Sequence, residues 1–263
     1  MRRAPRRPAV ALLVVAVAAV AFFALPLLGL LQQARWSTLV DDLTSPGARD
    51  ALRLSLVVSL GATALALGLG TPLAWVLARA AVPARSLLRS LVLLPMVVPP
   101  VVGGTALLAA LGPESPVGGW LDDAFGVVLP GTTTAAVLAA AFVAMPFYVI
   151  TVEGALRGVD RRLEQVAASL GAGRATVLRR VTLPIVGPSL VSGAVLAWAR
   201  ALGEFGATVT FAGNVEGQTR TLPLAVSLRL QEDQGSGIAL SLVLVAVSVV
   251  VLAALRDRWL RTP

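Results

Sequence analysis

Six uncharged stretches dominate this sequence: Pro8–Ala34, Leu54–Ala78, Ser90–Pro113, Ala124–Val152, Val181–Ala199 and Gly235–Leu255. Roughly 17–25 apolar residues make a helix long enough to cross about 30 Å of hydrocarbon, and each stretch supplies them. Only 14% of the residues are charged and the mean hydropathy is +0.84, whereas a soluble domain carries about a quarter charged residues. Segments of alternating polarity are absent, which excludes a β-barrel reading. The expected fold is all-α: a polytopic membrane protein with six transmembrane helices, near residues 9–31, 53–78, 89–111, 132–153, 185–207 and 237–255.

The chain has neither cysteine nor histidine. That removes thiol chemistry, disulfides and the usual nitrogen and sulfur metal ligands, and no paired carboxylates stand at membrane depth. An intramembrane enzyme is therefore disfavoured; catalytic and metal residues are expected to be none. The first apolar run follows Arg2, Arg3, Arg6 and Arg7. It is far longer than the ~7–15 residues of a signal-peptide core, so it reads as a retained first span, with a cleaved signal as the alternative.

Six spans put both termini on one side. If that side is cytoplasmic, 16 of the 22 arginines flank the inner ends: Arg2, Arg3, Arg6, Arg7, Arg79, Arg85, Arg89, Arg157, Arg161, Arg162, Arg174, Arg179, Arg180, Arg256, Arg258 and Arg261. Positive residues resist translocation, so the expected orientation is N-in/C-in. The sequence pI of about 11.6 is then a record of topology, and no nucleic-acid partner is expected. Residues 1–50 form a basic tail, first helix and outer loop; 51–255 form the transmembrane core; 256–263 form a cytoplasmic tail. No internal repeat is visible, which counts against repeat-built secondary transporters.

Several spans carry helix breakers. Pro95, Pro99 and Pro100, followed by Gly103 and Gly104, fall in the third; Pro72, Pro146 and Pro188 fall in the second, fourth and fifth. Proline removes a backbone hydrogen bond, and the freed carbonyl is tolerated at depth only against protein or a wet cavity. A pathway that opens and shuts is one reading, close packing the other. Arg200 and Glu204, four apart in the fifth span, are read as an ion pair that is either a gate or a helix lock. Thr208, Thr210 and Asn214 offer neutral donors beyond them. Glu153 and Arg157 suit a structural pair.

One polar island interrupts the apolar pattern: "LEQVAASLGAGRATVLRRVTLP", residues 163–184. Leu163, Val166, Ala167 and Leu170 lie on one helical face, Gly171-Ala172-Gly173 breaks the helix, and a second short stretch with Val177, Leu178 and Val181 leads to Pro184. Periodicity alone leaves a partner groove and an amphipathic loop on lipid equally open.

The island resembles the cytoplasmic loop signature of ABC importer permeases, E-A-A-x-x-x-G followed nine residues later by I-x-L-P. Gly171 takes the glycine, and Val181-Thr182-Leu183-Pro184 takes the last four positions. Gln165-Val166-Ala167 stands in the E-A-A places, with Glu164 one residue early, which puts any salt bridge from position 165 in doubt. The resemblance implies a type I ABC importer permease fold, with Glu164, Gln165, Ala167, Gly171, Val181, Leu183 and Pro184 in a loop that couples to a cytoplasmic ABC ATPase. "WARALGEFGATVTFAGN" (198–214), "TRTLPLAV" (219–226) and "LLPMVVPPVVGG" (93–104) resemble the molybdate and sulfate/thiosulfate branch, closer to the molybdate permeases. That implies a homodimer in the bacterial cell membrane, an extracytoplasmic molybdate-binding protein, and ATP-Mg held by the ATPase, with no cofactor on this chain. Pro95, Pro99, Pro100, Gly103, Arg200, Glu204 and Thr208 are the candidate path or gate residues. Sulfate, thiosulfate or tungstate permeases, and an ATP-independent secondary transporter, are the alternatives.

Overall fold

The computed structural model describes residues 10–259. The basic head Arg2, Arg3, Arg6 and Arg7 and the tail residue Arg261 lie outside the described residues, as do the side chains of Arg256 and Arg258. Within them the chain is helical, without a strand: α1 Val10–Gln33, α2 Leu39–Thr44, α3 Pro46–Arg79, α4 Arg85–Val97, α5 Pro100–Leu111, α6 Pro116–Phe125 and α7 Thr133–Gly158. There follow α8 Arg161–Ser169, α9 Arg174–Val177, a π turn Leu178–Thr182, α10 Leu183–Leu202, α11 Gly206–Phe211, α12 Leu222–Glu232 and α13 Gln234–Trp259.

Among the described residues, five helical runs are long and apolar enough to cross a membrane, and α4 with α5 makes a sixth only as a pair bent by 118°. The span expected at 89–111, with its helix breakers, is broken into α4 and α5. The break follows from Pro99 and Pro100. A residue before proline is driven out of the helical region, and Val98 (ψ 135°) and Pro99 (ψ 135°) are both extended. Pro100 then opens α5, where its missing N–H costs nothing. The other expected interruptions do not occur: α3 continues through Pro72, α4 through Pro95, α7 through Pro146 and α10 through Pro188. The fifth span ends at Leu202, earlier than expected, and a short turn separates it from α11.

The core is the three-way contact of α3, α7 and α10. Ala62, Ala66 and Ala74 of α3 and Ala136, Ala139, Ala140 and Ala144 of α7 are fully buried. Lipid tails are as apolar as leucine, so burial alone gives no preference; small side chains let the backbones approach and gain dispersion contacts. Tyr148 fills the centre, completely buried, its hydroxyl 2.7 Å from Thr71 Oγ1. Thr71 donates its own proton to Leu67 O at 2.6 Å, so Tyr148 is the donor to Thr71.

Charged contacts gather at the two ends of the bundle. At one end Arg35, after α1, pairs with Asp233, before α13, at 3.1 Å. Hydrogen bonds from the Ser236 hydroxyl and the Gly235 N–H, then the charge of Arg35, hold the Asp233 carboxyl below its ordinary range. The same end holds the start of α3, where Ser45 caps the helix and Pro46 leads it, and a small cluster of Ala48, Ala51, Leu222, Ala225 and Leu240. Thr133, at the start of α7, donates to Gln218 O at 2.8 Å. At the opposite end Arg79 of α3 meets Glu164, and Arg89 of α4 meets Glu153 of α7. Helices α3 and α7 therefore run in the same direction, so the bent pair between them has to return the chain across the bundle. Helix α1 ends and α13 begins at the first end, beside the Arg35–Asp233 pair.

Ser55, 2% exposed in α3, accepts the backbone N–H of Leu222 at 2.6 Å, fastening the start of α12 to the core. Replacing Ser55 with Ala leaves that N–H unpaired in a buried place, at a cost of about 1–3 kcal/mol. Unfolding of the purified protein in detergent should shift down accordingly, while Ser55→Thr, which keeps the acceptor, should shift less.

Candidate functional site

The polar island folds into α8, a tight turn and α9, with α9 running through the π turn into α10. Asp160 caps α8, its Oδ1 accepting the Arg162 N–H at 2.9 Å. Gly171 ends it at φ +86°: its N–H donates to Ala168 O and the Ala172 N–H to Ala167 O, at 3.0 and 3.1 Å. This paired closure needs a left-handed residue, which glycine adopts without strain. The expected second short helix is not separate. Its residues Val177, Leu178 and Val181 belong to one helical run with α10, locally widened where Leu183 N donates to Leu178 O.

Two faces of α8 differ. Leu163, Val166 and Leu170 stand 50, 59 and 84% exposed, and Gln165 is exposed beside them. Glu164 and Ala167 turn inward. Glu164 accepts two hydrogen bonds from the Arg79 guanidinium, each 3.2 Å, and one from Thr182 Oγ1 at 2.7 Å. The acidic residue that stands one position early thus bonds within the chain, to α3 and the π turn. Val181 and Leu183 are partly exposed, and Pro184 lies in the first turn of α10. A cavity of about 510 Å³ separates α8 and α9 from Trp75 of α3.

Beside this joint, Glu153 is 1% exposed and paired with two arginines, Arg157 one turn on and Arg89 of α4 at 3.4 Å. The first pair was legible from the i,i+4 spacing. The second was not, because nothing local links residues 89 and 153.

The path candidates separate into two groups. Pro99, Pro100 and Gly103 lie at or just after the bend; Pro95 lies inside α4. Arg200 and Glu204 form a pair at 2.6 Å, with Glu204 3% exposed. Glu204 also accepts the Ala207 N–H at 2.8 Å, so it closes the end of α10 onto the start of α11. Thr208 is 1% exposed and its hydroxyl has no partner among the described residues; it faces the packed interior. Thr210 bonds back to Gly206 O, and Asn214 accepts from Arg220. A close crossing involves a residue outside the candidate set: a Cβ on Gly104 of α5 would lie 2.7 Å from Ala207 O of α11. Its signal was the Gly103-Gly104 doublet.

Comparison with known proteins bears on these features. The family described as "Binding-protein-dependent transport system inner membrane component" matches residues 70–261. The molybdenum transport system permease protein ModB of Mycobacterium tuberculosis is 47% identical over 214 residues, 81% of either chain. The Escherichia coli K12 protein of the same name is 47% identical over 176 residues, 67% of this chain and 77% of its own. The E. coli K12 sulfate transport system permease protein CysW is 35% identical over 189 residues, 72% and 65% of the two chains. Among solved structures, a bacterial ABC transporter involved in alginate import superposes with a TM-score of 0.75 at 18% identity, covering 96% of this chain and 95% of its own.

Gly104→Val puts branched carbons where the Ala207 carbonyl sits and should force α5 off α11, costing about 1–3 kcal/mol. Spin labels on α5 and α11 should report a longer separation than in the unmodified protein, and thermal unfolding in detergent should fall.

Proposed function

The chain belongs to the family of binding-protein-dependent transport system inner membrane components, and on that premise we propose that it is the transmembrane permease subunit of an ATP-driven importer for molybdate. The observation that carries the substrate is the 47% identity to molybdenum permeases across most of the chain; the likeness to the sulfate permease is weaker. The protein resides in a bacterial plasma membrane, crossing it several times.

The orientation follows from the charges. The end of the bundle with Arg79, Arg85, Arg89, Arg157 and the α8 island faces the cytoplasm, because arginines resist translocation. The end with Arg35, Asp42, Glu216 and Asp233 faces outward, where a molybdate-binding protein delivers the anion. Helix α1 ends and α13 begins beside the Arg35–Asp233 pair, so with that end outside α1 runs outward, α13 runs inward, and the orientation is N-in/C-in.

Two copies of this chain form the pathway, and two ABC ATPase subunits dock below. The α3–α7–α10 core is filled with alanines and Tyr148, so a single copy is a packed bundle, and the route for an oxyanion forms between copies. A dianion in that route needs a wet, non-negative lining that does not trap it. Glu204, paired with Arg200 and the Ala207 N–H, exerts a muted field there. The apolar stripe Leu163, Val166 and Leu170 inserts into a groove on the ATPase. ATP-Mg is bound and hydrolysed on that partner; this chain binds no cofactor and is moved.

The test is a reconstituted complex of this chain, its ATPase and its binding protein in proteoliposomes. Molybdate should raise ATP turnover and enter the vesicles; stimulation by sulfate alone would move the assignment to the sulfate branch, and uptake without the ATPase would replace it with an ion-coupled carrier. Gly171→Asp, strained at φ +86°, should reduce uptake about tenfold or more, as losses in a coupled mechanical element do. Membrane insertion of that variant should remain normal by fractionation.

A further inference from the structure

We infer that Glu164 is a positioning residue that works inside this subunit, tying α8 to the end of α3 and to the π turn that heads α10, so that a displacement of α8 reaches both membrane helices at once. The inference rests on the importer reading and adds to it the route by which motion enters the bundle.

Four observations converge on this role. Both Glu164 oxygens are engaged by the Arg79 guanidinium in a forked pair, each contact 3.2 Å, the planar geometry that fixes direction as well as distance. The two side chains are 11 and 22% exposed, so solvent screens them weakly. The same carboxylate accepts the Thr182 hydroxyl at 2.7 Å, and Thr182 is 1% exposed. Finally, the space between α8 and Trp75 of α3 is open, a cavity of about 510 Å³ walled by Ala168, Ala172 and Ala175. Beside that space, the Arg79–Glu164 ion pair links α8 to α3.

The position of the acid explains its direction. Neighbouring residues on a helix stand about 100° apart, so an acid at 164 faces inward where residue 165, a glutamine, faces out. Arg79 is held in turn: its guanidinium lies 6.0 Å from the Trp75 ring centre. On the other branch, Thr182 sits in the turn closed by the Leu183-to-Leu178 bond. A π turn carries one residue more than the α-helical path and is a common point of local rearrangement. Holding Thr182 fixes that turn to α8, so α10 follows α8 as one body. Three helices meet on one carboxylate.

The experiment uses the reconstituted complex and measures molybdate taken up per ATP hydrolysed, together with retention of the ATPase on the purified permease. Glu164→Gln keeps an acceptor for Thr182 and removes the charge; uptake per ATP should fall about tenfold with ATPase retention unchanged. Arg79→Gln, on α3 and away from the docking face, should produce the same fall, and the double variant should be no worse than either single one. Thr182→Val, which deletes one hydroxyl, should lower the ratio about twofold and gives the reading if a charge variant fails to assemble. A normal ratio in Glu164→Gln or in Arg79→Gln overturns the inference. So do losses that multiply in the double variant, or a Glu164→Gln defect that consists of lost ATPase retention, which would make Glu164 a docking contact. An unmodified complex without molybdate-stimulated ATP hydrolysis would instead refute the importer reading itself.

Discussion

Hydrocarbon offers a backbone no hydrogen-bond partner, and that single deficit shapes this molecule. Each long apolar run closes its own amides into a helix, and each departure from the helix has a local substitute. At Val98–Pro99 the prolines remove donors that would otherwise go unpaired. Between α10 and α11 the Glu204 carboxylate takes the Ala207 N–H. At Gly171 two amides fold back onto Ala167 and Ala168 carbonyls. The irregular places are few, and each of them is a candidate for motion.

Three acids carry the ionic structure of the bundle and of the island at its end. Glu153 gathers Arg89 and Arg157, Glu164 gathers Arg79, and Glu204 gathers Arg200. A buried carboxylate without a partner would cost several kcal/mol, on the order given for uncompensated buried charge, so each is locked to the arginine that neutralises it. The locks are not equivalent in reach. Glu204 joins neighbours in sequence, whereas Glu153 and Glu164 join helices far apart in the chain, at the end where the island sits. Stiffness is concentrated there.

Much of this was legible beforehand. Span number came from uncharged length, the island from its polarity, its turn from Gly171, and the pairs 153–157 and 200–204 from helical spacing. What was missed is non-local. Pro72, Pro95, Pro146 and Pro188 carry the same local signal as Pro99 and Pro100, yet among them the helix breaks only where two prolines adjoin and force two successive extended residues. Isolated prolines are absorbed by a helix whose neighbours cover the freed carbonyl. The π turn has no composition of its own that spacing could reveal. The partners of Glu164 were invisible because Arg79 lies two crossings away in sequence, before α4, and Thr182 lies beyond the Gly171 turn. Sequence spacing reports neighbours along a helix, and tertiary contact decides the rest.

Helix α1 stands apart from this scheme. None of its apolar window is buried inside the chain, and its link to the rest is the Arg35–Asp233 pair and contact with α13. Its side chains are left to the surrounding hydrocarbon, and the cohesion of the subunit arises from the helices that follow it in the chain.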